Sequence, residues 1–351
     1  MFVNLIDYVK IISGGTPKTS IKEYWNGNIE WLAIDDFKDV NKYVYVTQKN
    51  ISNEGLENSA TNLLHHNDLI ISARGTVGKI ALIHHDMAFN QSCFGIRVNE
   101  SNILDPEYLF YYLKCNLAYI LKKSQGAIFD SINLDTFKYI KIDLIPIQEQ
   151  QKSVKILSSI DEQIEINSKM VNKLQVLGKS IYCKNIKYSD FVKLENISKI
   201  ITGKEDANHS TENGKYKFFT CSDEILSCDD FKFEGKSILV AGNGNFNVKY
   251  YDGKFNAYQR TYVIKNDEII GNLYYTLLFN TELFTKKANG SIIKFITINM
   301  LNNIDVPKFN DETNDVLNRI LEQINSINSE TDNLLELKSK LLPLLINQQL
   351  I

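Results

Sequence analysis

Phe2-Val3-Asn4-Leu5 and Lys10-Ile11-Ile12-Ser13-Gly14 return as Phe191-Val192-Lys193-Leu194 and Lys199-Ile200-Ile201-Thr202-Gly203, both blocks displaced by the same 189 positions. A duplicated unit governs how every later motif is read. Farther along, Leu69-Ile70-Ile71-Ser72-Ala73-Arg74-Gly75 has a looser counterpart in Ile238-Leu239-Val240-Ala241-Gly242-Asn243-Gly244, and Phe89-Asn90 has one in Phe255-Asn256. Ile132-Asn133-Leu134 then meets Ile298-Asn299-Met300, and Pro146 meets Pro307, just before each half enters a helical pattern. Each half therefore runs domain, proline, helix.

The first helix is expected from about Gln148 to Tyr182, with a stripe of Leu157, Ile160, Ile164, Val171, Leu174, Leu177 and Ile181. The second, from about Asp311 to Leu342, repeats it with Leu317, Ile320, Ile324, Ile327, Leu334, Leu337 and Leu341. Some 35 residues of helix span about 50 Å, more than a small domain needs. Neither helix is apolar all round, so each should bury its stripe against a partner, and the other repeat is the nearest of matching length. Asn167 falls near that seam, where an asparagine either fixes register or stays solvated. Gly178 and Pro343 read as residues of helix termini.

Between the helices, short β-branched and aromatic runs such as Tyr43-Val44-Tyr45-Val46, Asp68 to Ser72 and Gln259 to Lys265 alternate with Gly and Asn turns. Pro106 to Leu113 and Asn272 to Leu278 read as a packed helix in each half, their aromatics belonging to the core.

With 351 residues and 44% hydrophobic content, the chain can bury more than one core, so two domains are expected. The opening Met1 to Gly15 lacks a basic region followed by a long apolar stretch. No window holds the roughly 18 uninterrupted apolar residues of a membrane span, so a soluble, cytoplasmic protein is expected. Cysteines 93, 115, 183, 221 and 228 form no CxxC pair and read as ordinary thiols. His65-His66 and His84-His85 are badly spaced for metal ligands on one helix face, so no metal site is expected. The formal net charge of -3 excludes a generally basic coat; nucleic-acid binding would need Lys and Arg gathered on one face.

Catalytic signatures are lacking. The five prolines are isolated, which excludes the Pro-Pro-aromatic motif of a DNA methyltransferase. Gly242-Asn243-Gly244 follows a strand-like run but opens no helix, so it reads as a tight turn. Asp35-Asp36 and Asp229-Asp230 carry no nuclease signature, and neither a P-loop nor a Gly-x-Ser-x-Gly elbow occurs.

Three kinds of polar loop remain. Ser13 to Ser20, followed by Tyr24-Trp25-Asn26-Gly27-Asn28-Ile29-Glu30-Trp31, offers Lys18, Thr19, Ser20 and Tyr24; it is either a phosphate-contacting loop or a surface loop capped by two packed tryptophans. Ser72 to Lys79 offers Arg74, Thr76 and Lys79, with Asn90-Gln91 after a turn; arginine suits guanine, and Asn and Gln suit adenine. The second half offers Lys204, Asn243, Asn245, Asn247, Lys249, Asn256, Gln259 and Arg260, in a chain where exposed amides are also ordinary.

At these residues the chain resembles the specificity subunit of type I restriction-modification systems over nearly its whole length. Gly14-Gly15-Thr16-Pro17 with Tyr24-Trp25-Asn26-Gly27 and Ile29-Glu30-Trp31 resembles the opening of such a target-recognition domain. Arg74-Gly75-Thr76-Val77-Gly78-Lys79 with Asn90-Gln91 resembles its middle, and Ile145-Pro146-Ile147-Gln148-Glu149-Gln150-Gln151 its entry into the central helix. The second half departs from the pattern, with Gly203-Lys204-Glu205-Asp206 and no Tyr-Trp pair.

The resemblance implies an α+β fold: two similar mixed α/β target-recognition domains with strand-rich cores, separated by two long helices forming an antiparallel coiled coil, as an internal pseudo-twofold repeat. The boundaries expected are 1–146, 147–183, 184–307 and 308–351. It further implies a non-catalytic subunit reading a bipartite double-stranded DNA target, the helix pair setting the spacer. Two methyltransferase (modification) subunits would carry S-adenosylmethionine, restriction subunits would use ATP and Mg, and this chain would hold no cofactor. A second reading, a coiled-coil interaction scaffold without sequence-specific DNA binding, is compatible with the acidic balance. A self-sufficient enzyme is the third.

Overall fold

The protein is described by a computed structural model covering residues 2–37, 41–125, 131–288 and 295–347, with side chains described outside 119–125 and 282–288. It divides into two units: Met1–Ile166 with Asp332–Ile351, and Asn167–Thr331. Among the described residues no helix is long and apolar enough to cross a membrane.

In the first unit, β1 (Phe2–Asn4) pairs with β11 (Lys141–Asp143). One sheet has the order β2 (Val9–Ser13), β10 (Cys93–Val98), β7 (Leu69–Ser72), β8 (Ile80–Ile83), β4 (Tyr43–Val44). The other has β5 (Lys49–Ile51), β3 (Trp25–Leu32), β9 (Met87–Phe89), β6 (Leu63–Leu64), with the short helix α1 (Asn53–Glu57) beside it. All four residues of β7 are buried. Successive side chains of a strand point to opposite faces, so Leu69 and Ile71 enter the core with Tyr108 and Tyr111 of α2 (Pro106–Gln125), while Ile70 packs with Leu32, Leu64 and Phe89 on the other side. A strand covered on both faces needs the unbroken apolar run found here.

The second unit repeats the plan. β12 (Phe191–Lys193) pairs with β21 (Asp305–Pro307). The sheets run β13 (Ile200–Thr202), β20 (Thr261–Ile264), β17 (Ser237–Ala241), β18 (Val248–Tyr251), and β15 (Leu226–Cys228), β14 (Tyr216–Phe219), β19 (Lys254–Ala257), β16 (Phe233–Glu234). Ile238 and Val240 face the core containing Tyr275 of α4 (Ile270–Ala288), whereas Leu239 faces Phe219 and Phe255.

Main-chain hydrogen bonds shift two of the matches read from sequence by two residues. Gly15 N donates to Phe89 O (2.9 Å) as Lys204 N donates to Ala257 O (3.1 Å), and Asn90 N donates to Leu32 O (3.0 Å) as Tyr258 N donates to Phe219 O (2.9 Å). Asn90-Gln91 therefore corresponds to Tyr258-Gln259, and Asn256 lies inside β19. Likewise Ile132 N donates to Ala73 O (2.9 Å) as Ile296 N donates to Gly242 O (2.7 Å). Asn133 and Thr297 each cap the turn that follows, the latter opening α5 (Ile298–Asn302). A slip of two residues preserves strand alternation, so it leaves no trace in the hydrophobic pattern.

The two long helices are α3 (Ile147–Asn185) and α6 (Asp311–Ile346). In the first unit Ser153 Oγ donates to Leu345 O (3.2 Å), and Lys338 forms an ion pair with Asp161. In the second, Asn167 Nδ2 donates to Thr331 Oγ1 (3.2 Å). Numbers rise along one helix as they fall along the other, so the segments pair antiparallel. Asn167 is buried within the seam.

Leu177 and Leu337 are not seam residues: both stand about half exposed, at 50% and 46%. The inward stripe in the second unit runs Val171, Leu174, Ile181 and Tyr182, and the position between Leu174 and Ile181 at helical spacing is Gly178. It is no terminus residue, because a Cβ there would stand 1.8 Å from Tyr275 Oη. At the matching position of the other helix, Lys338 lies with its Nζ 5.6 Å from the centre of the Tyr111 ring. Pro343 does not end α6 either; the helix continues to Ile346, and Asn347 N donates to Pro343 O (3.0 Å). So close to the end, a missing N–H interrupts little of the ladder.

Polar groups hold α3 to the first unit. Lys42 Nζ donates to Glu107 Oε2 (2.6 Å) and Ser158 Oγ (2.8 Å), and Tyr111 Oη donates to Asp161 Oδ2 (2.6 Å). Burial pushes the Glu107 carboxyl up, but Lys42, Ser158 and Tyr43 outweigh it and hold the group below its usual range.

Replacing Gly178 by alanine is expected to destabilise the second unit by about 1–3 kcal/mol, although alanine exceeds glycine in helix propensity by about 1 kcal/mol. Leu177→Ala should cost less than about 1 kcal/mol. Urea denaturation of the full chain, followed by circular dichroism, distinguishes the two.

Candidate nucleic-acid interface

In the first unit three loops meet at the ends of β2, β7 and β9. Gly14 can have no side chain, because Asn90 O lies 2.0 Å from where its Cβ would stand. Trp31 Nε1 donates to Gly15 O (3.0 Å), Trp25 Nε1 donates to Lys18 O (3.3 Å), and the two rings meet edge to face with centroids 5.2 Å apart. Both tryptophans thus clamp the main chain of the 14–18 segment and leave Lys18, Thr19 and Ser20 exposed. Thr16 is hydrogen-bonded to Gln91, and Ala73 N donates to Ser92 O (2.7 Å).

The turn between β7 and β8 is held from below. Buried Ser72 accepts from Lys79 N (2.9 Å) and donates to Thr76 O (2.5 Å). Gly75 and Gly78 take left-handed conformations, with φ of 70° and 90°. Arg74 and Thr76 are exposed at its tip, Gln91 is exposed beside it, and Lys79 and Asn90 are half-buried. Lys18 and Arg74 make no ion pair among the described residues, so their charges remain available to an incoming anion. Tyr24 is not gathered with this group: its main-chain O accepts from Ser52 N (3.1 Å), next to α1.

The second unit builds the same junction. Gly203 would place a Cβ 2.2 Å from Tyr258 O, Gly242 N donates to Arg260 O (2.8 Å), and Gly244, with φ of 71°, occupies the place of Gly75. Lys204, Gln259 and Arg260 are exposed here, and Asn243 is half-buried.

The surrounding chemistry differs. Asn245 Nδ2 and Asn247 Nδ2 donate to Asp223 (3.2 and 3.0 Å), Lys249 Nζ donates to Ser222 O (2.5 Å), and Gln259 Nε2 donates to Asp206 Oδ1 (3.1 Å). Burial holds the Lys249 amine below its usual range. Asp223 therefore positions the amides that sequence alone assigned to base reading.

Asn256, unlike the other amides, does not reach the surface. It is fully buried, its Nδ2 donating to Asp230 Oδ1 (3.2 Å) and its Oδ1 accepting from Ala257 N (3.0 Å). Position in a strand between two neighbours, not in the loop, removes it from any ligand. Sequence reasoning also missed Ser72 and Asp223, which no spacing singles out. It missed as well a group of His209, Cys228 and Asp230, whose ligand atoms lie within 4.8 Å of one another.

Two similar α+β units, each presenting three loops at the ends of its strands, two of them shaped by glycine, define a duplicated protein. The family described as Type I restriction modification DNA specificity domain matches residues 1–176 and again 187–339, and the chain belongs to it. It is 39% identical over 140 residues to the Type I restriction enzyme EcoDI specificity subunit of Escherichia coli, covering 38% of this chain and 32% of that protein. It is 28% identical over 172 residues to the MjaIX specificity subunit of Methanocaldococcus jannaschii, covering 48% and 39%. The matches thus span about a third of the length of these curated relatives. The crystal structure of the S subunit of the type I restriction-modification system from M. genitalium shares the fold, with a TM-score of 0.65 at 15% identity over 98% of this chain and 95% of that one.

Asn256→Ala is expected to cost about 1–3 kcal/mol of stability, by stranding buried polar groups. Gln259→Ala and Arg260→Ala, at exposed positions, should change it by less than about 0.5 kcal/mol. Chemical denaturation of the three variants checks this.

Proposed function

We propose that this chain is the DNA-reading subunit of a type I restriction-modification enzyme, each unit reading one half of a bipartite double-stranded target. The observation that carries the proposal is the loop junction built twice by equivalent main-chain bonds, in halves that both match a DNA specificity family. Glycines at the junction bring backbone close to a ligand, while side chains around it supply donors.

In this reading Lys18, Thr19, Ser20 and Lys204 contact phosphates, which positions the protein without reading sequence. Arg74 suits the O6 and N7 acceptors of guanine, and Gln91 and Gln259, with Asn90, suit adenine. Asn243, Asn245 and Arg260 complete the second set, with Thr76, Lys79 and Lys249 supporting the turns. The overall charge of -3 places the affinity in local cations and in partner subunits. Modification subunits supply methyl transfer from S-adenosylmethionine, and restriction subunits supply ATP- and Mg-dependent cleavage. The long helices fix the unread gap between the half-sites.

Methylation mapping of a host with and without this gene tests the proposal. A bipartite methylated motif should disappear with the gene; an unchanged methylome would reject the reading. Inserting one heptad into both α3 and α6 adds about 10 Å, and should lengthen the gap by about three base pairs at roughly 3.4 Å each while leaving both half-sites unchanged.

Arg74→Ala should cost about 1–3 kcal/mol of binding and relax one position of the first half-site. Equal loss on all sequences, measured by competition binding, would make Arg74 a phosphate contact.

A further inference from the structure

We propose that His209, Cys228 and Asp230 form a binding site for a transition-metal ion of the zinc class. His209 ends the turn Ala207–His209, Cys228 ends β15, and Asp230 follows two residues later. An imidazole nitrogen, a thiolate and a carboxylate are the three donor types zinc accepts, with bonds of about 2.0–2.3 Å. Their ligand atoms already lie within 4.8 Å of one another. The ion would replace the hydrogen bond between His209 Nε2 and Asp230 Oδ1 (2.6 Å) and the proton of the thiol, leaving a fourth position for water.

Two of these donors are already oriented by hydrogen-bonding neighbours. Glu205 Oε2 lies 3.3 Å from His209 Nδ1, which directs Nε2 toward the ion. Asn256, fully buried, donates to Asp230 Oδ1 (3.2 Å) and holds that carboxylate. Outer partners of this kind orient the ligands and tune affinity. Cys228 is buried, with Sγ 3.1 Å from Asp230 O, so the thiol is held against the same segment.

A comparison of the two units supplies the reason for a site here. In the first, Trp31 and Trp25 clamp the segment that follows Gly14 through their indole N–H groups. The main-chain match of Leu32 with Phe219 puts Phe218 in the place of Trp31. Phe218 has no donor, and both tryptophans of the chain are in the first unit. His209 instead packs on Phe218, with ring centroids 5.7 Å apart. An ion on His209 would staple the segment Lys204 to His209 to the end of β15, doing by coordination what the indoles do by hydrogen bonds. The inference rests on this geometry and not on DNA reading.

The test uses the full chain, stripped with a chelator and titrated with Zn²⁺ and with Co²⁺. One equivalent should bind, and the cobalt form should show a thiolate-to-cobalt charge-transfer band. Cys228→Ser should abolish that band, whereas Cys221→Ser and Cys183→Ser keep it. His209→Gln and Asp230→Asn, at partly exposed positions where folding is retained, should each weaken Zn²⁺ binding at least about tenfold, and Glu205→Gln by about 10- to 100-fold. No stoichiometric binding, cobalt bound without the band, a band that survives Cys228→Ser, or unchanged affinity in His209→Gln and Asp230→Asn would each overturn the proposal.

Discussion

The central strand of each unit, Leu69–Ser72 and Ser237–Ala241, is buried on both faces, and the turn that follows it meets the two neighbouring loops of the junction. A strand between two cores cannot shift by one residue without turning its whole set of side chains over. That constraint fixes Ala73 and Gly242, whose N–H groups donate to Ser92 O and Arg260 O. From there the positions of Arg74 and Asn243, and of Gln91 and Gln259, follow. Recognition by such a protein is a matter of loop chemistry on a rigid frame.

The repeat conserves topology while allowing different chemistry at equivalent places. Tyr111 meets Asp161 and Lys338, whereas Tyr275 meets Gly178, and its hydroxyl has no hydrogen-bond partner among the described residues. One solution buries charge that costs about 3–5 kcal/mol if either partner is removed; the other relies on close packing. The loops diverge in the same way. Among the described residues Lys18 and Arg74 stand without ion pairs, while Asp206 and Asp223 hold the amides of the second junction.

Much of this was legible in the sequence. The duplicated blocks at Phe2 and Phe191, the long three-and-four stripes and the buried aromatics of α2 and α4 all carry periodic signals. What the sequence misplaced had no such signal. Asn256 was matched to Asn90 because a slip of two keeps alternation intact. Leu177 and Leu337 entered the stripe because they are apolar, while the inward positions belong to Gly178 and Lys338, residues that read as punctuation and surface. Asp223 and the group around His209 are assembled by contacts distant in sequence, which spacing cannot reveal.

We propose that two copies of one loop junction read two separate words of DNA. Selection from random double-stranded DNA by the purified chain together with its modification subunits measures this directly. Two short enriched blocks at one constant gap are predicted. A single contiguous block, or no enrichment over the input pool, would contradict it.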